Sequence, residues 1–301
     1  MKSFKEHNDQ SRFEELNEAL ITFGGKAYPK FNTIVIMAGG AGSGKGFVQD
    51  TLIGVEGKVF DVDALKSLGL KSEKLRARVK RELGVELQHL NLKNPDDVST
   101  LHAIMSDMGI SKRNETMMFN SILRADPKRK PNLIFDVTLK DLEKFTKIVS
   151  NVTNLGYERQ DIHIVWVVND IQVAQSQNAS RDRMVAPEIL VNTHRGVSST
   201  MNDIVGMGRS LRKYMDGDIV FAFNKMGVDS AIMKSKIDPS QKRGKDFVIG
   251  TQKKMKSRGM VIVKSNYVYI KRQGKPPASL KTLTSDLKQK INSYVPKGVE
   301  W

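Results

Sequence analysis

Apolar residues in this chain fall into short β-branched runs, separated by longer stretches with helical spacing. "NTIVIMAGG" (32–40), "KVFDV" (58–62), "NLIFDV" (132–137), "IHIVWVV" (162–168) and "DIVFAF" (218–223) are each too short for a helix. They show no polar alternation, so each predicts a strand buried on both faces. "FVQDTLIG" (47–54) and "LKDLEKFTKIVSNVTNLGY" (139–157) carry apolar positions at helical intervals between them. Strands alternating with helices predict an α/β protein, with five mostly parallel strands and helices on both faces of the sheet. Residues 64–130 are too many for one crossover. "SEKLRARVKRELGVELQHL" and "NETMMFNSILR" predict a helical insertion there, closed by the turn-like "ADPKRKPN".

The flanks read differently. "SRFEELNEALITFGG" (11–25) has an N-cap serine, apolar residues at helical spacing and terminal glycines, which predicts a helix within residues 1–30. The core is expected over 31–225 and an extension over 226–301. In that extension "GMVIVKSNYVYIKRQGKPP" (259–277) suggests a hairpin through Ser265 and Asn266, and "SLKTLTSDLKQKINSYV" a final helix.

Composition narrows the setting. No apolar run reaches the roughly 18 residues that span a bilayer. The amino terminus lacks the apolar stretch of a signal peptide, and the chain has no cysteine. Disulfides, thiolate ligands and a cysteine nucleophile are excluded, and an intracellular, cytoplasmic protein is expected. The five histidines have no metal-ligand spacing.

Charge changes the picture more. Forty-nine Lys and Arg against 33 Asp and Glu give +16, with a pI near 9.8. Residues 234–258 alone hold nine Lys or Arg and two Asp, an excess of +7. Such a field gathers polyanions, so nucleic acid is an expected partner, DNA ahead of RNA. Tyr267, Tyr269, Lys271 and Arg272 offer aromatic and basic contacts to a strand, or else belong to an ordinary half-buried hairpin.

The candidate chemistry begins at "GGAGSGKGF" (39–47). A phosphate loop follows G-x-x-x-x-G-K-[ST], and it works because backbone N–H groups at a helix start converge on anionic oxygens. Gly39, Gly44 and Lys45 fit this pattern, but Gly46 replaces the hydroxyl residue. The loop follows a predicted strand and precedes a helix, so Gly39, Gly40, Ala41, Gly42, Ser43, Gly44, Lys45, Gly46 and Phe47 are expected to bind a nucleotide. Asp61 and Asp63 in "DVDALK" (61–66) stand at the end of the second strand, where open α/β sheets bind ligands. Asp63 is the candidate base for an acceptor hydroxyl, or else a helix cap. Asp136, in "NLIFDVTLK" (132–140), ends the third strand and is a candidate magnesium site together with Ser43. Thr138 and Lys140 are candidate acceptor contacts.

These stretches resemble the zeta-toxin and polynucleotide-kinase group of P-loop kinases over roughly residues 30–225. "GGAGSGKG" is similar to the loop of adenylate and UMP/CMP kinases, where glycine also follows lysine. "DVDALK" resembles the D-x-D-x-[FL]-K element whose second aspartate is the proposed base, which matches Asp63 and leaves Asp61 for the substrate. Asp136 to Lys140 resembles an E-G-T-L-R-like element, and a lysine at 140 lacks the bidentate grip of arginine. "NASRDRMVAPE" (178–188) places Arg181 and Arg183 where that group carries lid arginines.

The resemblance implies the P-loop kinase fold with strand order 2-3-1-4-5. It also implies a lid over 176–200, ATP and Mg²⁺ as cofactors, and transfer of the γ-phosphate to an alcohol. The acceptors in this group are a nucleotide sugar, a nucleic-acid 5′ end or, in related phage kinases, a hydroxymethylated base in DNA. A nucleic-acid acceptor is expected here from the charge. A nucleotide or nucleotide-sugar kinase and a non-catalytic, nucleotide-gated nucleic-acid binder are the alternatives. His163, within a strand, is expected to be structural. His194 and Arg195 fall in the lid stretch without an assigned role. Met117, Met118 and Phe119 are expected in a helix core.

Overall fold

The computed structural model describes residues 20–61, 70–179, 184–224, 232–235, 260–264, 267–299 and 301. The parallel sheet is built from β1 (Ile34–Ala38), β2 (Lys58–Asp61), β3 (Leu133–Val137), β4 (Ile162–Asn169) and β5 (Ile219–Asn224). Their spatial order is β2-β3-β1-β4-β5, and every neighbouring pair is parallel. That is the order of the P-loop kinase fold. The glycine loop sits between β1 and α1 (Lys45–Leu52).

Alternation along β1 divides its side chains between two cores, as a period of two requires. Ile34, Ile36 and Ala38 pack with α5 (Leu142–Asn154), α7 (Pro187–Gly206) and α8 (Ser285–Tyr294). Val35 and Met37 face Val48 and Leu52 of α1. The segment before β3 carries α2 (Glu73–Leu83), α3 (Pro95–Asp107) and α4 (Ile110–Leu123). Their own small core is Val79, Leu87, Leu101, Ile104, Met105 and Met108. The order is completed by α6 (Ile171–Ala179), β6 (Ile232–Ser235), β7 (Met260–Lys264) and β8 (Tyr267–Lys271). Among the described residues no helix is long and apolar enough to cross a membrane.

Four expectations change. The helix expected over 11–25 does not continue through its described part. Ile21 instead forms a parallel bridge to Ile53, and Phe23 turns back to Lys26. Residues 11–19 lie outside the described residues. The hairpin through Ser265 and Asn266 is replaced by two separate pairings, β7 with β6 and β8 with β5. The edge of β5 presents unpaired backbone groups that an antiparallel strand can satisfy, and β8 becomes the sixth strand.

Tyr267, Tyr269, Lys271 and Arg272 are therefore engaged within the protein. The Tyr267 hydroxyl donates to the Leu20 carbonyl at 2.9 Å. Tyr269 bonds Thr22 and lies under the Arg272 guanidinium, 3.3 Å from the ring centroid. Lys271 is buried on Asp216 at 2.8 Å. Finally, Met117 is 73% exposed, while Met118 and Phe119 pack against the main core.

Two residues tie segments flanking the core to the sheet. Asp218 accepts from the backbone N–H of Gly24 at 2.6 Å and of Gln273 at 3.0 Å. Trp301 stacks on Trp166, with centroids 5.2 Å apart, and donates its Nε1–H to Ser198 Oγ at 2.9 Å. His163 is structural as expected, buried with its Nδ1 accepting from the Asp218 N–H at 2.8 Å.

Candidate active site

The glycine loop leaves β1 at the carboxyl edge of the sheet and wraps into α1. Gly42 and Gly44 hold φ of 72° and 85°, a left-handed conformation that suits glycine. Gly44 is the N-cap of α1 and supplies no side-chain cap, and the first turn carries no acid. The N–H groups of that turn have no intrahelical partner, and with the helix dipole they form a ready anion site.

Lys45 folds over the loop. Its Nζ donates to the Gly39 carbonyl at 2.9 Å and lies 3.5 Å from Asp136 Oδ1. Asp136 and Asp61 are register partners on β3 and β2. Both line a cavity of about 500 Å³ with Ala41 and Lys45. Thr138 and Lys140 line the same cavity. They flank Leu139, which takes φ of 52°, an unusual value for a leucine. Asp141 then caps α5, accepting from the Lys144 N–H at 2.8 Å. Gly196 of α7 packs against Lys140, and a Cβ there would meet its carbonyl at 2.9 Å.

The structure thus brings together Ala41, Lys45, Asp61, Asp136, Thr138 and Lys140. Asp63, Arg181 and Arg183 lie outside the described residues. Their described flanks, Asp61 on one side and Val185 and Ala186 on the other, line the cavity.

Ser43 does not join the group. It is 1% exposed, its Oγ has no hydrogen-bond partner among the described residues, and it is not among the cavity walls. Phe47 turns its ring to the core around α1. A side chain at Gly46 would meet no atom within 4 Å, so the missing hydroxyl is not a steric necessity. Among the described residues no cluster of three acidic or histidine side chains is placed to hold a metal. The Asp61 and Asp136 carboxylates are the hard oxygen donors that suit a mostly hydrated Mg²⁺, which commonly takes one or two carboxylates plus phosphate oxygens.

Several residues at the site were not singled out in the sequence. Pro95, Val98, Ser99 and His102 of α3 also line the cavity, so the insertion contributes to its wall. Around the loop, Thr193 Oγ1 accepts from the Ala41 N–H at 3.2 Å, and His194 Nε2 lies 2.8 Å from the Ala41 carbonyl. Asn169 donates to the Gly42 carbonyl at 3.0 Å and Asn224 to the Ser43 carbonyl at 2.9 Å. The asparagines carried one legible signal: each directly follows an apolar strand run, at its carboxyl end. His194 is buried beneath the loop, and Arg195 donates to the Lys297 carbonyl at 3.3 Å.

Burial pulls the His194 pKa below the usual 6.5, outweighing the Ala41 carbonyl that favours the proton; the nearby Lys45 charge adds to the lowering. As pH falls through 6.5 the unfolded chain takes up this proton first, so stability is complete above that value and declines below it. Chemical denaturation between pH 7.5 and pH 5.5, with those bounds on either side of the imidazole range, checks this. The His194→Gln variant should lack that part of the decline; an equal decline in both proteins would assign it to other groups.

No protein-family model and no curated protein matches the chain. Among solved structures, similarity is found to the PezAT chromosomal toxin–antitoxin system of the human pathogen Streptococcus pneumoniae. That match has 14% identity and a TM-score of 0.38, covering 74% of this chain and 78% of that one. The AvrRxo1-ORF1:AvrRxo1-ORF2 complex with sulphate ions matches at 11% identity and a TM-score of 0.46, covering 98% of this chain and 73% of that one. Deoxyadenosine kinase from M. mycoides with bound dATP matches at 14% identity and a TM-score of 0.24, covering 64% and 91%. At these TM-scores none of the three bears on function, and the fold assignment stands on the strand order and the placement of the loop.

Proposed function

We propose that the protein is an ATP-dependent kinase that transfers the γ-phosphate to a hydroxyl on nucleic acid. The observation that carries the kinase reading is the convergence of Lys45, Asp61 and Asp136 beside the glycine loop, in one cavity at the carboxyl edge of the sheet. In this reading the first-turn N–H groups of α1 and Lys45 hold the β- and γ-phosphates. Asp63 takes the proton from the acceptor hydroxyl. The new O–P bond forms at the γ-phosphorus as the bond to the bridging oxygen breaks, and ADP leaves. Arg181 and Arg183 offset the charge on the phosphoryl group, and Thr138 and Lys140 orient the acceptor. Asp61 and Asp136 are the residues that would hold Mg²⁺, which when bound supplies positive charge to the phosphates.

The nucleic-acid acceptor is favoured by the +16 net charge and by the +7 excess within residues 234–258. Most of that tract lies outside the described residues. A second reading, a nucleotide or nucleotide-sugar kinase, is favoured by the cavity itself. Its volume of about 500 Å³ and the α3 residues that line it suit a nucleotide-sized acceptor.

Labelled ATP with Mg²⁺ should be offered DNA and RNA with free 5′ ends, hydroxymethylated DNA, nucleoside monophosphates and nucleotide sugars. Transfer to nucleic acid, abolished by Asp63→Asn and weakening steeply with salt, is the expected result. Transfer only to small acceptors overturns the nucleic-acid assignment. ATP binding without transfer to any acceptor overturns the kinase and leaves a nucleotide-gated binding module.

A further inference from the structure

We propose that His194, Asn169 and Asn224 are positioning residues that hold the phosphate loop open to an anion by drawing three consecutive carbonyls away from it. The inference rests on the kinase reading and names what prepares its nucleotide site.

An anion cradle made of backbone has an inherent difficulty. Every peptide unit offers a carbonyl oxygen as well as an N–H, and an oxygen turned towards a phosphate repels it. A glycine-rich loop has the freedom to present either group. In this protein the carbonyls of Ala41, Gly42 and Ser43 are each bonded by a side-chain donor. His194 reaches Ala41 at 2.8 Å, Asn169 reaches Gly42 at 3.0 Å and Asn224 reaches Ser43 at 2.9 Å. A carbonyl only accepts, so the His194 nitrogen facing it carries the hydrogen.

The three donors come from separate parts of the fold: α7, the end of β4 and the end of β5. Asn169 and Asn224 are register partners on adjacent strands. All three side chains are buried, at 3%, 1% and 8% exposure. Rigid elements therefore impose the loop's orientation before any ligand arrives. Ordering lost in advance is not charged against affinity when the nucleotide binds.

Two glycines support the same conclusion. A Cβ on Gly40 would run into the His194 imidazole, and a Cβ on Gly44 would run into the Asn224 amide. These positions must be small for the clamp to close, independent of any phosphate. The Asn169 amide adds a third argument, because its Oδ1 is buried with no hydrogen-bond partner among the described residues. A half-satisfied buried amide is a poor choice for stability alone. Its use is the bond that Nδ2 makes to the loop.

The test compares ATP dissociation constants by calorimetry, and KM for ATP against kcat, in the full-length protein. His194→Met removes the donor at similar bulk, whereas His194→Gln restores an N–H near the position of Nε2. Asn224→Leu removes the donor on a different element, so the question stays answerable if one variant fails to fold. His194→Met and Asn224→Leu should each weaken ATP about 10-fold, as loss of a buried hydrogen bond implies. KM for ATP should rise with kcat and the acceptor KM little changed, and His194→Gln should recover most of the loss. Wild-type ATP affinity in folded His194→Met and Asn224→Leu overturns the inference, as does a His194→Gln variant no better than His194→Met. A wild-type protein that retains no ATP brings down the kinase reading and this inference together.

Discussion

Lys45→Ala should lower the rate of phosphoryl transfer by about 10²–10³-fold, the usual cost of deleting one preorganised charged or hydrogen-bonding group at a transferring centre. The ammonium is held between the Gly39 carbonyl at 2.9 Å and the Asp136 carboxylate at 3.5 Å. It is therefore anchored beside the helix start, where the phosphates are proposed to lie. Removing it takes away a positive charge held beside the transferring group, and it leaves Asp136 facing the phosphates without that neighbour. Lys45→Arg should recover little, because a planar guanidinium does not replace a compact point charge on a flexible stem. Single-turnover transfer from labelled ATP measures the effect, and thermal melting of the free protein controls for folding. A Lys45→Ala protein that transfers phosphate within about 3-fold of wild type, less than one hydrogen bond is worth, would remove Lys45 from the mechanism.

The largest expected loss of stability lies outside the cavity walls. Trp301 is 8% exposed and stacked on Trp166, with its Nε1–H on Ser198 Oγ. It also meets Phe221 edge-on, at 5.4 Å between centroids and 89° between planes. Trp301→Ala should cost about 3–5 kcal/mol, the range for deleting a large buried aromatic. That is a large share of the 5–15 kcal/mol typical of whole-protein stability. Trp301→Phe should cost less, since it keeps the ring contact but leaves the Ser198 hydroxyl, which is fully buried, without this partner. Urea denaturation measures both. The chain has two tryptophans and they are this pair, so the fluorescence change on unfolding reports directly on their separation. A Trp301→Ala protein within about 0.5 kcal/mol of wild type, the scatter of neutral surface changes, would show that the stacking does not support the fold.

Much of the framework was legible along the chain because its determinants are local. Each parallel strand announced itself as a short apolar run, and the register brought Asp61 and Asp136 side by side as their strand-end positions suggested. Other features depended on neighbours that no local pattern reveals. Met117, Met118 and Phe119 read together as helix core, but burial depended on which face met the main core, and Met117 was left outside. The apolar and aromatic runs at 260–264 and 267–271 signalled one or two strands, and adjacency suggested that they pair with each other. They bond to different partners instead.

The sequence by itself determined the strand–loop–helix unit, the order of strands and helices, and the two acids at strand ends. Periodicity and glycine chemistry act over a few residues, so a linear text can carry them. Only the tertiary structure decided which strand covers the β5 edge, that the insertion lines the cavity, and that His194, Asn169 and Asn224 meet at one loop. Those residues lie more than a hundred positions from the carbonyls they hold. A hydrogen-bond donor is the same chemical group wherever it stands, and only the packing of the elements between selects its acceptor.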